Sequence, residues 1–346
     1  MSDAIKIGTR MVGDNHAPYV IAEAAISHQG DAEIARRMVY IAHAMGCDAI
    51  KFQMHVLENE MLRDVPTSDN FDEPLYETLA KTNLTLDEHK ALKQLCEGLG
   101  IDYLCTPFSA AAADILDDMG VLAFKTGSGE LTNIPLITHI ARKGRPMIIS
   151  TGMALVDEIR ETVDAVKAIG TPFALTHCVS AYPCPYNRVN LHNIPRYRDL
   201  FDVPVGLSDH SIGIYTSLGA VALGACIIEK HYTLDKLQSG PDHAVSLEPY
   251  ELGELSKGCR AVFEARGAER EIFPEEQPII AWARESVVSI ADIAAGKVIT
   301  PDMVWVKRPS PGKGAIPAKD LGKVIGRTAR TAIAKDRQIL WQEIAE

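Results

Sequence analysis

The stretch Ile227–Thr233, IIEKHYT, opens as a buried strand and closes on an acid, a base and an imidazole. It follows the small-residue run GAVALGAC (219–226), and the segment before it, PVGLSDH (204–210), has the same form: an apolar strand with a polar, histidine-bearing end. A strand that only surfaced there would need no such repetition. Working outward, the same unit recurs along residues 19 to 265: a short apolar strand, a polar turn, an amphipathic helix. The predicted strands are YVIAEAA (19–25), AIKFQ (49–53), DYLCTPF (102–108), AFKTGSG (123–129), MIISTGM (147–153), FALTHCVS (173–180), PVGLSDH and IIEKHYT. Between them, segments such as AEIARRMVYIAHAMG (32–46) and LDEHKALKQLCEGLG (86–100) place apolar residues at i, i+3, i+4 and i+7, the spacing of a helix with one buried face.

Eight such units predict an α/β fold, a (β/α)8 TIM barrel, with a doubly wound open sheet as the alternative. The strand ends decide between them. Glu23, Lys51 with Gln53, Thr106, Ser128 with Glu130, Ser180, Ser208 with His210, and Glu229-Lys230-His231 all fall at or just past a strand's C-terminal end. A barrel gathers these ends on one face, where its active site is built; an open sheet spreads them along a line. Side chains alternate across a strand, so Glu229 shares the inward face with His231 while Lys230 points outside.

The barrel is expected over residues 1–265. RGAEREIFPEEQP, charged and proline-bearing, falls in a linker over 266–283, and SVVSIADIAAGKVITPDMVWVKRP opens a small domain of short strands over 284–346. Residues 58–83 (ENEMLRDVPTSDNFDEPLYETLAKTN) read as an irregular loop over one end of the barrel.

Composition narrows the function classes. The chain has 346 residues and a formal charge of −11, which argues against a general nucleic-acid binder. No apolar run reaches membrane-spanning length, and MSDAIKIGTR lacks a signal peptide's apolar core, so a cytoplasmic location is expected. The seven cysteines are scattered without a C-x-x-C pair and read as buried free thiols.

His210 and His231 end neighbouring strands about 5 Å apart, close enough to share a borderline divalent metal with positions left open for water and substrate. Lys51 and Lys125 sit inside apolar strands and must each meet an anion, either an internal carboxylate or a substrate carboxylate or phosphate helped by the hydroxyls of Thr106, Ser128 and Ser208. A Schiff-base role for Lys125 needs no metal, and the histidine pair counts against it. Glu23, Glu130, Glu229 and Asp242 can accept hydrogen bonds from a polyol. KTGSGE lacks the third glycine of a dinucleotide fingerprint.

In order, IAEAAISHQGD, AIKFQ, CTPFS, FKTGSGELTNIPL, ISTGM, HCVSAYPCP, VGLSDHSIG, GACIIEKHYTLD and GPDHAVS resemble the sialic acid synthase family, and the tail resembles its C-terminal antifreeze-like (SAF) domain. The resemblance implies condensation of phosphoenolpyruvate with an N-acetylated hexosamine to a 2-keto-3-deoxy sugar acid and phosphate. It implies a divalent metal on His210 and His231, Mn2+ first, with Mg2+ or Co2+ as alternatives. It implies phosphoenolpyruvate binding at Lys51, Thr106, Lys125, Ser128, Ser180 and Ser208, and amino-sugar contacts from Glu23, Glu130, Tyr182 and Asp242, with Gln53 also taken as substrate-binding and with Glu23, Glu130 or a metal-bound water as the base. Arg308, in VKRP, matches an arginine given to the partner subunit's site, which implies a domain-swapped homodimer. Ser180 stands where some members carry Asn, and KRPSPGKGAIP is longer than the family's loop. GPDH at 240–243 favours N-acetylmannosamine or 2,4-diacetamido-2,4,6-trideoxymannose as acceptor over the pseudaminic branch. The alternatives are a pseudaminic acid or 3-deoxy-heptulosonate-type synthase, the latter needing a basic cluster for a phosphorylated sugar, and, from another class, a non-catalytic carbohydrate-binding protein.

Overall fold

The computed structural model describes residues 4–66, 73–238, 240–267 and 269–345. The chain divides into two compact units, Met1–Gly267 and Ala268–Glu346.

The first unit is an eight-stranded parallel barrel with an outer layer of helices. Its strands are β1 (Tyr19–Ala25), β2 (Ala49–Met54), β3 (Asp102–Pro107), β4 (Phe124–Thr126), β5 (Met147–Ser150), β6 (Phe173–Cys178), β7 (Val205–Asp209) and β8 (Ile227–His231), and β8 pairs with β1 to close the ring on that side. The ladder runs β3-β2-β1-β8-β7-β6-β5-β4. A helix follows each strand: α1 (Ala32–Ala44), α2 (Leu86–Leu99), α3 (Ala110–Asp118), α4 (Ile134–Ala141), α5 (Val156–Ile169), α6 (Asn193–Phe201), α7 (Tyr215–Ala222) and α8 (Pro249–Ala265).

Local chemistry sets the helix ends. Asp31 accepts hydrogen bonds from the backbone N–H groups of Glu33 and Ile34 at the start of α1, and Thr85 with Glu88 forms a reciprocal capping box on α2. Gly100, at φ 79°, closes α2 in a left-handed conformation that a side chain would resist.

Period two sorts each strand into two faces. Val20, Ala22, Ile50, Phe52, Tyr103, Cys105, Phe124, Ile149, Leu175 and Ile228 pack outward against the helices. Ile21, Ala49, Leu104, Ala123, Ile148, Ala174 and Ile227 fill the barrel's interior with Ile5, Ile7 and Val12 of the N-terminal hairpin. Two residues further along the same inward faces stand Glu23, Lys51, Thr106, Lys125, Ser150 and Glu229. The apolar layer is therefore the floor on which the polar layer stands.

Three expectations need correction. The strands stop earlier than their apolar patterns suggest: β4 ends at Thr126, β5 at Ser150, β6 at Cys178 and β7 at Asp209, so Ser128, Ser180 and His210 sit on the first loop residues. Loop hydrogen bonds replace the ladder there, as where Gly152 N–H donates to Ser128 Oγ at 3.1 Å. The segment 58–83 is not wholly irregular: helices Leu57–Glu60 and Leu75–Thr82 bury Leu57, Tyr76 and Leu79 against Ile26, while 67–72 lie outside the described residues. The segment read as a linker carries helix α9 (Gln277–Ala283).

In the second unit, β9 (Ser286–Ser289) and β10 (Val304–Lys307) pair antiparallel over a core of Val287, Ile293, Ile299, Val304, Ile316, Val324, Ile333 and Ile339. All seven cysteines are free and buried. Among the described residues no helix is long and apolar enough to cross a membrane.

Candidate active site

The strand ends surround a cavity of about 660 Å³ whose lining includes Glu23, Lys51, Gln53, Thr106, Lys125, Ser128, Glu130, Ser180, Tyr182, Ser208, His210, His231 and Asp242. Every barrel residue expected to bind substrate or metal thus faces one space. Arg308 belongs to the second unit, where its exposed guanidinium lies 5.3 Å from the centre of the Trp282 ring.

Two lysines and two carboxylates form the buried base of this cavity. Lys51 Nζ lies 2.7 Å from Glu23 Oε2 and 3.9 Å from Glu229 Oε2, and donates to Thr106 Oγ1 at 3.0 Å. Lys125 Nζ lies 3.7 Å from Glu229 Oε1 and donates to the Thr126 carbonyl at 2.9 Å. Ser208 Oγ donates to Glu229 Oε1 at 2.8 Å. Burial pushes both carboxyls up, but Glu229 faces both ammoniums and is held below its ordinary range, whereas in Glu23 burial wins over Lys51 and its pKa is raised. Two carboxylates a strand apart are so driven toward opposite protonation states.

Beside Lys125, Ser128 Oγ donates to Ser150 Oγ at 3.1 Å while accepting from Gly152 N–H. A Cβ on Gly152 would come within 2.5 Å of Ser128 Oγ and 2.4 Å of Ser180 Oγ, so glycine there keeps a polar hollow open beside the lysine. On the same loop, two residues past Ser128, Glu130 is pushed up to about 7 by burial, and its Oε2 has no hydrogen-bond partner. Asp242 is raised to about 6 by burial, against the pull of His210 and Lys51.

His210 and His231 stand with ring centres 5.3 Å apart, and Tyr182 stacks on His210 at 4.1 Å while meeting His231 edge-on at 5.6 Å. Nδ1 of His210 donates to the Val179 carbonyl at 2.9 Å. Nδ1 of His231 is buried without a hydrogen-bond partner, 3.8 Å from Asp242 Oδ2. Among the described residues no group of three or more His, Cys, Asp or Glu side chains is gathered as a metal site.

Among the lining residues that sequence reasoning passed over are Glu60, His55, Ser150 and Cys178. Glu60, from the covering segment, had no periodic pattern to mark it, and His55 stands one residue beyond β2. Ser150 and Cys178 read as ordinary strand residues. Inward parity with Lys125 and Ser208 on neighbouring strands was the signal that could have found them.

A NeuB-family model matches residues 38–271 and a SAF-domain model matches residues 284–345. The chain belongs to the NeuB family. It is 35% identical to N,N'-diacetyllegionaminic acid synthase of Legionella pneumophila, over 97% of each chain. It is 36% identical to human N-acetylneuraminate-9-phosphate synthase, over 96% of this chain and 94% of that one. Among solved structures, the N-acetylneuraminic acid synthetase of Leptospira borgpetersenii, in complex with citrate, superposes with a TM-score of 0.73 and 34% identity, covering 81% of this chain and 96% of that one. As a NeuB member the chain pairs the family's barrel with a SAF domain.

Proposed function

We propose that this NeuB-family chain is an enzyme that condenses phosphoenolpyruvate with an N-acetylated hexosamine, giving a nonulosonic acid and phosphate. One observation carries the reading: a single cavity sets two buried ammoniums and a row of hydroxyls against a set of carboxylates. The first suits a small anion bearing both phosphate and carboxylate; the second suits a polyhydroxylated, N-acetylated acceptor. Relatives named as synthases of such acids support the same class. The acceptors we propose are N-acetylmannosamine and 2,4-diacetamido-2,4,6-trideoxymannose.

In this reading Lys51 and Lys125 hold the anion, with Ser128, Ser180, Ser208 and Thr106 contacting its oxygens. Glu229, kept ionised by both lysines, fixes the positions of the two ammoniums. Carbon C3 of phosphoenolpyruvate attacks the open-chain aldehyde carbon, forming the C–C bond, and the aldehyde oxygen takes a proton. Water then adds at C2, and phosphate departs with cleavage of the C2–O bond. Glu23, whose raised pKa places it to exchange protons near neutrality, is the candidate acid–base group beside Lys51.

His210 and His231 fit the divalent metal we propose, Mn2+ first. The Val179 carbonyl on Nδ1 of His210 leaves Nε2 as a lone pair, and His231 keeps an unpartnered buried nitrogen near Asp242. When bound, such a metal would polarise the acceptor's aldehyde. We further propose that Arg308 serves the site of a second copy in a domain-swapped homodimer, in the cytoplasm.

The test is phosphate release by the purified chain supplied with Mn2+, phosphoenolpyruvate and each sugar in turn. Release dependent on the sugar supports the reading; none with any N-acetylated hexosamine defeats it. A His210→Ala/His231→Ala double variant should also lose tight Mn2+ binding in titration calorimetry.

A further inference from the structure

His55 stands one residue past β2, buried, and its ring is held on three sides. Nδ1 lies 2.9 Å from each oxygen of the Glu60 carboxylate, Nε2 lies 3.2 Å from Gln53 Oε1, and the ring stacks on Phe108 at 4.5 Å with a 14° tilt. Its carbonyl accepts from Asn83 Nδ2 at 2.8 Å, at the far end of the covering segment. Gln53 in turn directs its Nε2 toward Glu23 Oε1 at 3.4 Å. Glu60–His55–Gln53–Glu23 is therefore a continuous row, running from the helix Leu57–Glu60 of the cover to the buried carboxylates.

A glutamine amide presents a donor at one end and an acceptor at the other, and an unconstrained one rotates between them. We propose that His55, its Nδ1–H donating to the Glu60 carboxylate and its Nε2–H to Gln53 Oε1, is a positioning residue that fixes the Gln53 amide with its NH2 group toward the carboxylate side of the cavity, so that Gln53 offers a defined donor to the acceptor sugar. The inference rests on the condensation reading above. It assigns His55 and Glu60 to recognition of the amino sugar ahead of phosphoenolpyruvate, because the residue they position, Gln53, reaches Glu23 on the sugar's side, and the row meets the anion's residues only through the Glu23–Lys51 pair at 2.7 Å.

The test uses steady-state kinetics of the full chain with phosphoenolpyruvate and the better of the two sugars. His55→Phe keeps the stacking on Phe108 and removes both hydrogen bonds; Glu60→Gln keeps the shape and removes the anchoring charge. Each should raise KM for the sugar about tenfold, the scale of one lost hydrogen bond to a charged or fixed partner, with KM for phosphoenolpyruvate changed less than about twofold. In a Gln53→Ala background neither change should add a further rise, since the residue they position is gone. An unchanged sugar KM, an equal rise for both substrates, or full additivity with Gln53→Ala would overturn the inference. If His55→Phe fails to fold by circular dichroism, Glu60→Gln decides alone. A wild-type chain that turns over no sugar defeats the condensation reading itself, an outcome distinct from a working enzyme indifferent to His55.

Discussion

Lys230 Nζ lies 3.1 Å from Asp209 Oδ2, on the outer side of the barrel wall, while its neighbours Glu229 and His231 line the cavity within. The two residues face each other in register across β7 and β8, and both are almost wholly buried. Asp209 also accepts from Ser211 N–H, Thr216 Oγ1 and Ser217 Oγ, at 2.9, 2.7 and 2.6 Å, and Lys230 donates to the Ser211 carbonyl. Burial pushes the Asp209 carboxyl up, but Lys230 and these donors outweigh it and hold it below its ordinary range. The pair thus clamps the turn that carries His210.

Lys230→Met should therefore cost roughly 3 kcal/mol of stability, because it strands a buried carboxylate, and adding Asp209→Asn should recover part of the loss. Denaturant unfolding of the single and double variants measures both; a single-variant loss below about 1 kcal/mol would contradict the account of the pair.

Glu130 predicts a pH dependence. Burial raises it from 4.5 to about 7, so the folded chain holds its proton more tightly than the unfolded chain does. Its contribution to stability is complete below the unfolded value and is lost as pH rises through the folded one. Glu130→Gln should accordingly be more stable than the parent at pH 8, by up to roughly 3 kcal/mol. In kinetics, if the ionised carboxylate receives the sugar's hydroxyls, turnover should rise through an apparent pKa near 7, and this limb should flatten in Glu130→Gln. The same limb in the variant would assign it to Glu23, which burial also raises to about 7, and not to Glu130.

Acid should weaken the barrel through two other groups. His28 and His89 are lowered from 6.5 to about 4 by burial, so both rings are neutral in the folded chain at pH 7. The stability tied to their neutrality is complete above pH 6.5 and is lost as pH falls toward 4. The melting temperature should fall across that window, and fall less steeply in His89→Gln. An equal slope in the variant would assign the acid lability elsewhere.

Much of this site was legible before any coordinates, for a simple reason. In a strand that is buried on both faces, a lysine or glutamate has no place unless something meets it, so Lys51, Lys125 and Glu229 marked themselves. The eight-unit rhythm then supplied the barrel, and the barrel brought the strand ends together. His55 and Glu60 were not legible, because their meaning lies in a contact between a strand end and a covering segment without periodicity. Ser150 and Cys178 were hidden by being small and ordinary. The partner of Lys230 needed the register between β7 and β8, which pattern alone does not give.

Arg308 offers a prediction about assembly. If it serves the site of a second copy, Arg308→Ala and His210→Ala/His231→Ala should each be inactive alone. Mixed and allowed to exchange subunits, they should regain partial activity, because one site of the mixed dimer is whole. Mixtures as inactive as their components, in a preparation shown to exchange, would contradict the swap.

The most direct test of the condensation is to run it in 18O-water with Mn2+, phosphoenolpyruvate and the acceptor sugars, reading the products by mass spectrometry. The account predicts sugar-dependent formation of a nine-carbon keto acid with unlabelled phosphate, since water attacks C2 and the C–O bond breaks. Phosphate carrying 18O, or no phosphate release with any N-acetylated hexosamine, would contradict it.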